Sequence, residues 1–166
     1  MLFRSARLAA ALGLPYAFAY FFMDGQGAEE ALQLYRRLYQ PSERHPEPDV
    51  TICVWALAAD SEADARHHAL SRERWRLDRA RGHLGPLRPP DEVAAQGFDP
   101  ADEPALARMR QAALVGSAAQ VGQQLRALCA TLALDELVIN TWAYEPGVRR
   151  HSYALLSREF DLAGRP

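Results

Sequence analysis

One stretch of this chain constrains its fold more than any other: a helix end, a buried apolar run and a second helix follow one another. Residues 5–12 are rich in small side chains, and Gly13 followed by Pro15 is typical of a helix C-terminus. The continuous apolar run at residues 16–22 predicts a strand that is covered on both faces. Apolar residues between positions 28 and 39 then recur at helical spacing.

The same alternation continues to the end of the chain. Ser117 and Gln120 form a capping-box pair that predicts the start of one helix, and Asp60 or Ser61 is placed to cap another. Further strands are predicted at residues 50–58, 113–115 and 137–141, and further helices at residues 60–81, 117–132 and 148–160. Four strands that are each followed by a helix, without hairpin signals, predict an α/β fold with parallel strands and right-handed crossovers.

Residues 82–104 interrupt this order with five prolines. We interpret them as an irregular insertion or lid with one short helix. The length of 166 residues suits one domain with a real core, so we expect a single domain over residues 1–166.

The net charge and the hydropathy of the chain limit the kinds of molecule that it is expected to bind. A formal net charge of −2 gives no electrostatic reason to expect nucleic acid or an anionic membrane. No apolar run approaches the roughly 20 residues that span a bilayer. Residues 1–14 resemble the basic and apolar regions of a signal peptide, but residues 15–16 lead into a strand pattern instead of a cleavage site. We therefore expect a cytoplasmic protein, with Cys53 and Cys129 as free buried thiols.

Four stretches in order carry a resemblance to a known family. They are residues 5–19, residues 31–37 with Pro41-Ser42, Val115-Gly116-Ser117 with Gln120-Val121, and residues 149–156, which read Arg-Arg-His-Ser-Tyr-Ala-Leu-Leu. In this order they are similar to the C-terminal half of the bacterial luciferase-like flavin monooxygenases, which are (β/α)8 barrels. The resemblance implies four strand–helix units that correspond to strands five to eight of a TIM barrel, with strands one to four absent.

The resemblance also implies a cofactor and a reaction. Family members use reduced FMN, supplied by a flavin reductase, and O2 to oxygenate a small organic substrate such as an aldehyde. The family's catalytic histidine and most of its flavin contacts fall in the half that this chain does not match, so we assign no catalytic residue. At the end of strand five the family has His-Phe, whereas this chain has Phe21-Phe22.

Active sites of such barrels lie at the carboxyl ends of the strands, here residues 20–24, 58–60, 115–117 and 141–144. We predict flavin contacts at Ser5, as a phosphate donor at a helix start, and at Gly116 and Ser117. Tyr20 and Phe21, with Phe22, are predicted to wall an apolar flavin or substrate pocket. Simple capping is the alternative for Ser5, the capping box by itself accounts for Ser117, and core packing is the alternative for the aromatic residues.

Two other groups of side chains invite hypotheses. Asp64 and His68 share a helix face with i, i+4 spacing, and His67 is adjacent, but no third ligand follows, so we predict no metal site. Trp142 and Tyr144 follow the last strand, where they would either stand over a pocket mouth or pack against a neighbouring element.

Half a barrel would leave two sheet edges open. We therefore expect a homodimer that completes eight strands, or association with an N-terminal half-barrel. The main alternative is a non-catalytic flavin-binding or interaction module, or a truncated remnant that lacks the catalytic half. A complete small α/β domain of another family is the third hypothesis.

Overall fold

The computed structural model describes residues 2–162, and all four strands in this part of the chain pair in parallel. The strands are β1 (Tyr16–Phe18), β2 (Val50–Ala59), β3 (Leu114–Ser117) and β4 (Glu136–Asn140). The helices are α1 (Leu2–Ala11), α2 (Ala28–Leu38), α3 (Glu62–Ala80), α4 (Pro90–Gln96), α5 (Glu103–Gln111), α6 (Ala118–Leu132) and α7 (Pro146–Glu159). The predicted parallel α/β order without hairpins is confirmed.

The long strand β2 takes part in every strand pair. It pairs with β1 in the register Tyr16↔Val50 and with β4 in the register Thr51↔Glu136. Beyond Trp55 it pairs with β3, from Ala56↔Leu114 onwards. Within residues 2–162, β1 and β4 each pair with β2 alone, so the sheet is open. Contacts divide this part of the chain into two compact units, residues 2–55 with 126–140 and residues 56–125 with 141–162.

Tyr35 on α2 organises the first unit. Its side chain is completely buried, and its hydroxyl donates to the carbonyl of Leu14 (2.8 Å) while accepting from the Asp49 amide (3.2 Å). These two bonds tie the loop after α1 and the chain before β2 to one side chain. The ring also contacts Tyr16, at 5.3 Å between centroids. Gly13, at φ +59°, ends α1 as predicted, and a Cβ there would lie 2.5 Å from the Gln40 carbonyl oxygen.

In the second unit, α7 is fastened to the end of β2 by side-chain hydrogen bonds. Ser152 Oγ accepts from the Ala58 amide (2.9 Å), and Thr141 Oγ1 donates to the Ala56 carbonyl (2.8 Å). The Tyr153 hydroxyl accepts from the Thr141 amide (2.9 Å). Ser152 and Tyr153 belong to one of the stretches that carry the family resemblance, and their role here is to hold a helix against strand ends.

The strand predicted at residues 16–22 is wrong in length and in burial. β1 ends at Phe18, and Tyr20–Phe22 form a 3₁₀ turn. The chain turns early because Asp24 and Gly25 both adopt positive φ, and the Gly25 amide donates to the Tyr20 carbonyl (3.0 Å). Ala17 is exposed between buried neighbours, so β1 is covered on one face only.

The interpretation of residues 82–104 underestimates their order. They hold α4, a 3₁₀ turn at Pro100–Asp102 and the start of α5. Side chains of α3 and of the residue that follows it fasten the segment: Arg81 pairs with Asp102 (2.6 Å), and Trp75 Nε1 donates to the Gly85 carbonyl (3.0 Å). Its role as a lid stays a prediction, as does the single domain over residues 1–166. No helix within residues 2–162 is both long and apolar enough to cross a membrane.

Candidate functional site

The first group of predicted site residues lies directly after β1. Tyr20 and Phe21 are half-buried, and the Phe21 and Phe22 rings stack at 4.7 Å between centroids with 28° between their planes. Phe22 is 62% exposed, and Met23 beside it is also exposed. These aromatic side chains lie at the carboxyl end of a parallel strand, which is where α/β proteins bind ligands.

The Tyr20 ring lies against the backbone of Gly25. A Cβ built on Gly25 would lie 2.2 Å from Tyr20 Cζ, and the residue has φ +83°. Only glycine therefore allows this loop to close over the ring. Burial, and secondarily the negative charge of Asp24, raise the pKa of Tyr20, so that its hydroxyl is a hydrogen-bond donor at neutral pH.

Ser5 does not lie at the start of a helix, and this part of the prediction is wrong. The helix-compatible residues Leu2, Phe3 and Arg4 extend α1 in the N-terminal direction, so Ser5 lies inside it. Its Oγ lies 3.4 Å from the Tyr16 hydroxyl. A flavin contact at Ser5 stays a prediction, but without the free amides of a helix start to support it.

Gly116 and Ser117 lie in the second unit, where the predicted capping box is confirmed. The Ser117 amide donates to Gln120 Oε1 (2.8 Å), and the Gln120 amide approaches Ser117 Oγ (3.4 Å). A Cβ on Gly116 would lie 2.7 Å from Gln120 Oε1, so this glycine makes room for the cap. Gln120 Nε2 also donates to Glu62 Oε2 (2.8 Å), which joins the starts of α6 and α3.

Hydrogen bonds from Gln120 and Arg66 lower the pKa of Glu62, so the carboxylate that receives the Gln120 amide is ionised at neutral pH. The bonds at the start of α6 therefore account for Gly116 and Ser117 structurally. A flavin contact at these two residues remains a prediction.

A cavity of about 340 Å³ lies at the carboxyl end of β2, in the second unit, where residues 58–60 were predicted to border a site, but the sequence analysis did not identify the residues of α7 that line it. His151 Nε2 lies 3.0 Å from Asp60 Oδ1 at its rim. Position along the chain could have indicated these lining residues. Asp60 directly follows β2, and Glu145 and Gly147 follow β4 at the start of α7. The cavity is lined by residues 58–60, Asp64, His68, Glu145, Gly147, Val148 and His151.

The residues of the metal hypothesis have separate partners. Asp64 Oδ2 accepts from the Ser61 hydroxyl (2.6 Å), and His67 Nε2 lies 2.9 Å from Asp91 Oδ1. His68 contacts the His67 ring edge-on. In the part of the chain that the structure describes, no group of three histidine, cysteine, aspartate or glutamate side chains is placed to hold a metal ion.

Trp142 packs against α3, its ring meeting that of Trp75 edge to face at 5.2 Å. This contact supports the packing alternative for Trp142, whereas Tyr144 is exposed. Of the predicted flavin contacts, Ser5, Tyr20 and Phe21 belong to the first unit, and Gly116 and Ser117 belong to the second.

Comparison with known proteins identifies the family to which this chain is related. The family profile described as "Luciferase-like monooxygenase" matches residues 4–135. A protein of Escherichia coli strain K12 named luciferase-like monooxygenase is 34% identical over 151 residues, covering 91% of this chain and 45% of that protein. The uncharacterized protein YvbT of Bacillus subtilis strain 168 is 33% identical over 153 residues, again covering 45% of its length.

Solved structures show the same fold. The structure of apo-MsnO8 matches 96% of this chain and 48% of its own, with a TM-score of 0.83 and 29% identity. The oxygenating constituent of 3,6-diketocamphane monooxygenase from Pseudomonas putida, a type II Baeyer–Villiger monooxygenase in complex with FMN, matches with a TM-score of 0.53 and 19% identity, covering 94% of this chain and 44% of its own. The predicted fold class is confirmed, and the chain spans about half the length of these relatives.

The profile match over most of the chain and the identity to the E. coli relative lead to one conclusion. This chain belongs to the luciferase-like monooxygenase family.

Proposed function

We propose that this chain is part of an FMN-dependent monooxygenase that uses reduced FMN and O2 to oxygenate a small organic, aldehyde-like substrate. The observation that carries the proposal is the family profile over residues 4–135. The FMN complex of the Pseudomonas putida neighbour supports the choice of flavin. When bound, reduced FMN supplies the electrons and reacts with O2, and a flavin reductase in the cytoplasm would deliver it.

The described residues fit the ring end of a flavin. Phe21 and Phe22 offer an apolar face that would exclude water from the ring. The protonated hydroxyl of Tyr20 would donate a hydrogen bond to a polar edge.

We propose further that four more strand–helix units complete the site. They would come from a second copy, or from an N-terminal half on the same or another polypeptide. The open edges of β1 and β4 support this, because unpaired strand edges and their apolar surroundings favour association. The match to only 44–48% of each of these relatives supports it as well.

The alternative is a non-catalytic flavin-binding or interaction module. One specific observation favours it. Phe21 stands where the family usually has a histidine, so the end of β1 offers a stacking surface but no side chain suited to proton transfer at that position.

Titration of the purified chain with FMN and with photoreduced FMN separates these functions. Binding together with oxidation of an added long-chain aldehyde to its acid, when NADH and a flavin reductase are present, supports the enzyme; O2 consumption alone does not, because free reduced FMN also reacts with O2. Binding without turnover supports the module, and absence of binding contradicts both. Tyr20→Phe is expected to weaken FMN binding by several-fold, about the value of one neutral hydrogen bond. Tyr39→Phe, which removes a hydroxyl of the first unit that donates to the His45 carbonyl and is no predicted flavin contact, is the matched control.

A further inference from the structure

We propose that the cavity of about 340 Å³ at the carboxyl end of β2 binds a small alcohol, whose hydroxyl donates a hydrogen bond to His151. This site goes beyond the flavin chemistry and does not depend on it, because all of its lining residues belong to the second unit. Four properties of the cavity support the assignment: its size, the pairing of His151 with Asp60, the charge of its wall, and the open space beside Gly147.

The size and position of the cavity suit a small organic molecule. Ligand pockets in proteins have volumes from about 300 Å³ upwards, and in α/β proteins they lie beyond the carboxyl ends of parallel strands. Ala58 and Ala59 at the end of β2, with Val148 on α7, supply apolar wall. This wall suits a short alkyl chain.

The His151 ring offers a hydrogen-bond acceptor to a ligand. Its Nε2 lies 3.0 Å from Asp60 Oδ1. A carboxylate oxygen only accepts, so Nε2 donates the proton, and Nδ1 of the neutral ring is left as an acceptor. Within residues 2–162, no hydrogen bond reaches Nδ1. A ligand hydroxyl can provide this donor.

The elements that carry the pair are fastened to each other. Ser152, next to His151 on α7, accepts from the Ala58 amide (2.9 Å), and Thr141 Oγ1 donates to the Ala56 carbonyl (2.8 Å). These bonds hold the end of β2 against the residues before and within α7. The acceptor is therefore in place before a ligand arrives, which lowers the entropic cost of binding.

The charge of the wall selects among ligands of similar size. Asp60, Asp64 and Glu145 line the cavity, and no lysine or arginine is among the described residues that line it. Such a wall repels a carboxylate ligand. An aldehyde carries no donor for the carboxylates or for Nδ1 of His151. The wall therefore favours an alcohol over the aldehyde or the acid of the same length.

NMR titration of the ¹⁵N-labelled full chain with 1-hexanol tests the proposal. We expect saturable shifts of the Gly147 and Val148 amides and a dissociation constant on the order of 1 mM, as suits a ligand of about seven non-hydrogen atoms. Hexanal should bind several-fold more weakly because it cannot donate a hydrogen bond. Hexanoate should bind more weakly by roughly tenfold or more.

His151→Phe tests the acceptor. It keeps an aromatic ring at a partly exposed position on α7 but removes Nδ1, and it should weaken 1-hexanol binding several-fold. Hexanal, which makes no bond to Nδ1, should lose less. His83→Phe makes the same change at an exposed histidine of the second unit that does not line the cavity, and it should bind 1-hexanol like the unmodified chain.

Gly147→Leu tests the cavity itself. Gly147 lines the cavity, and nothing lies within 4 Å of its ideal Cβ, so a larger side chain fits without displacing the wall. It should occupy the space of the ligand and weaken 1-hexanol binding by roughly tenfold or more. Gly85→Leu is the matched control, because nothing lies within 4 Å of its ideal Cβ either and it does not line the cavity.

Several outcomes would overturn the proposal. They are the absence of saturable shifts at the start of α7, hexanoate binding as tight as that of 1-hexanol, and 1-hexanol binding that either His151→Phe or Gly147→Leu leaves unchanged. Hexylamine binding that exceeds that of 1-hexanol and is insensitive to His151→Phe would instead show a cation held by the carboxylates. Binding of 1-hexanol without FMN contradicts the proposed function alone, whereas binding of FMN without 1-hexanol contradicts only the alcohol site.

Discussion

At the scale of single residues, Gly25 shows how the candidate site is built. Its backbone lies where a Cβ would enter the Tyr20 ring, at 2.2 Å from Cζ, and its φ is +83°. We predict that Gly25→Ala destabilises the first unit by about 1–3 kcal/mol, because the strained φ and the clash add. Urea unfolding followed by tyrosine fluorescence measures the loss.

Gly82→Ala is the control for Gly25→Ala. Gly82 has nearly the same φ, +82°, but nothing lies within 4 Å of its ideal Cβ, so this variant carries the backbone strain without the clash. Equal losses in the two variants would show that the Tyr20 ring does not press on Gly25. A full rescue of Gly25→Ala by adding Tyr20→Ala would establish that it does.

Tyr35 is the second residue whose chemistry can be isolated. Phenylalanine at this position keeps the buried ring but leaves the Leu14 carbonyl and the Asp49 amide without the hydroxyl. We predict that Tyr35→Phe lowers the free energy of unfolding by about 1–3 kcal/mol. Tyr39→Phe removes one bond, to the His45 carbonyl, from a half-buried ring and should lower it less. The midpoints of urea unfolding compare the two variants.

The pH dependence of the unfolding midpoint provides a second test of the role of the Tyr35 hydroxyl. Burial is the main cause that raises the pKa of Tyr35 above its usual value of 10.0. The folded state therefore favours the protonated phenol, and its contribution is present below pH 10 and is lost as the pH rises through the raised pKa. Unfolding midpoints measured between neutral pH and this range should fall less steeply in Tyr35→Phe than in the unmodified chain.

At the scale of elements, the capping box at the start of α6 is predicted to act as one unit. Ser117→Ala and Gln120→Ala should each lower the free energy of unfolding by about 0.5–2 kcal/mol. Gly116→Ala should disturb the same cap, because its Cβ would meet Gln120 Oε1 at 2.7 Å. The double variant Gly116→Ala/Gln120→Ala should then lose less than the sum of its single variants. Additive losses, measured by urea unfolding, would contradict this coupling.

Element order was readable from the sequence, because periodicity and caps report local preferences. Ser117 with Gln120 predicted the start of α6, and Gly13 predicted the end of α1. The end of β1 was not readable, since an apolar run looks the same whether it continues as a strand or turns. What turns it is the loop at Asp24 and Gly25, which closes over the Tyr20 ring.

The candidate sites were only partly predictable, for a related reason. Tyr20 and Phe21 follow a strand directly, so position along the chain identified them. The cavity at the end of β2 brings together Asp60 and His151, which are 91 residues apart. Such a pairing depends on which strands become neighbours, and a single sequence does not state this. The start of α1 was misjudged because Ser5 suits both a cap and a helix interior.

At the scale of the whole molecule, the partial match to the relatives and the open edges of the sheet agree with each other. The relatives are about twice as long as the matched region, and β1 and β4 each lack a second neighbour within residues 2–162. Open parallel edges beside exposed apolar side chains are covered in stable proteins. If a second copy is what covers them, as one of the arrangements proposed above has it, the stability of this chain depends on its own concentration.

This dependence can be measured without knowing the substrate. If folding and dimerisation are coupled, each tenfold rise in protein concentration should stabilise the dimer by about 1.4 kcal/mol, and the midpoint of thermal unfolding should rise with it. Calorimetry between about 1 and 100 µM covers the useful range. Leu8→Glu places a charge at a 61% exposed leucine of the first unit, which holds both open edges, and should shift the onset of this dependence to higher concentration. Leu84→Glu, at an 80% exposed leucine of the second unit, should not. A midpoint that stays constant over the whole range would show that the open edges are stable in water, and dimerisation would then contribute nothing to the fold.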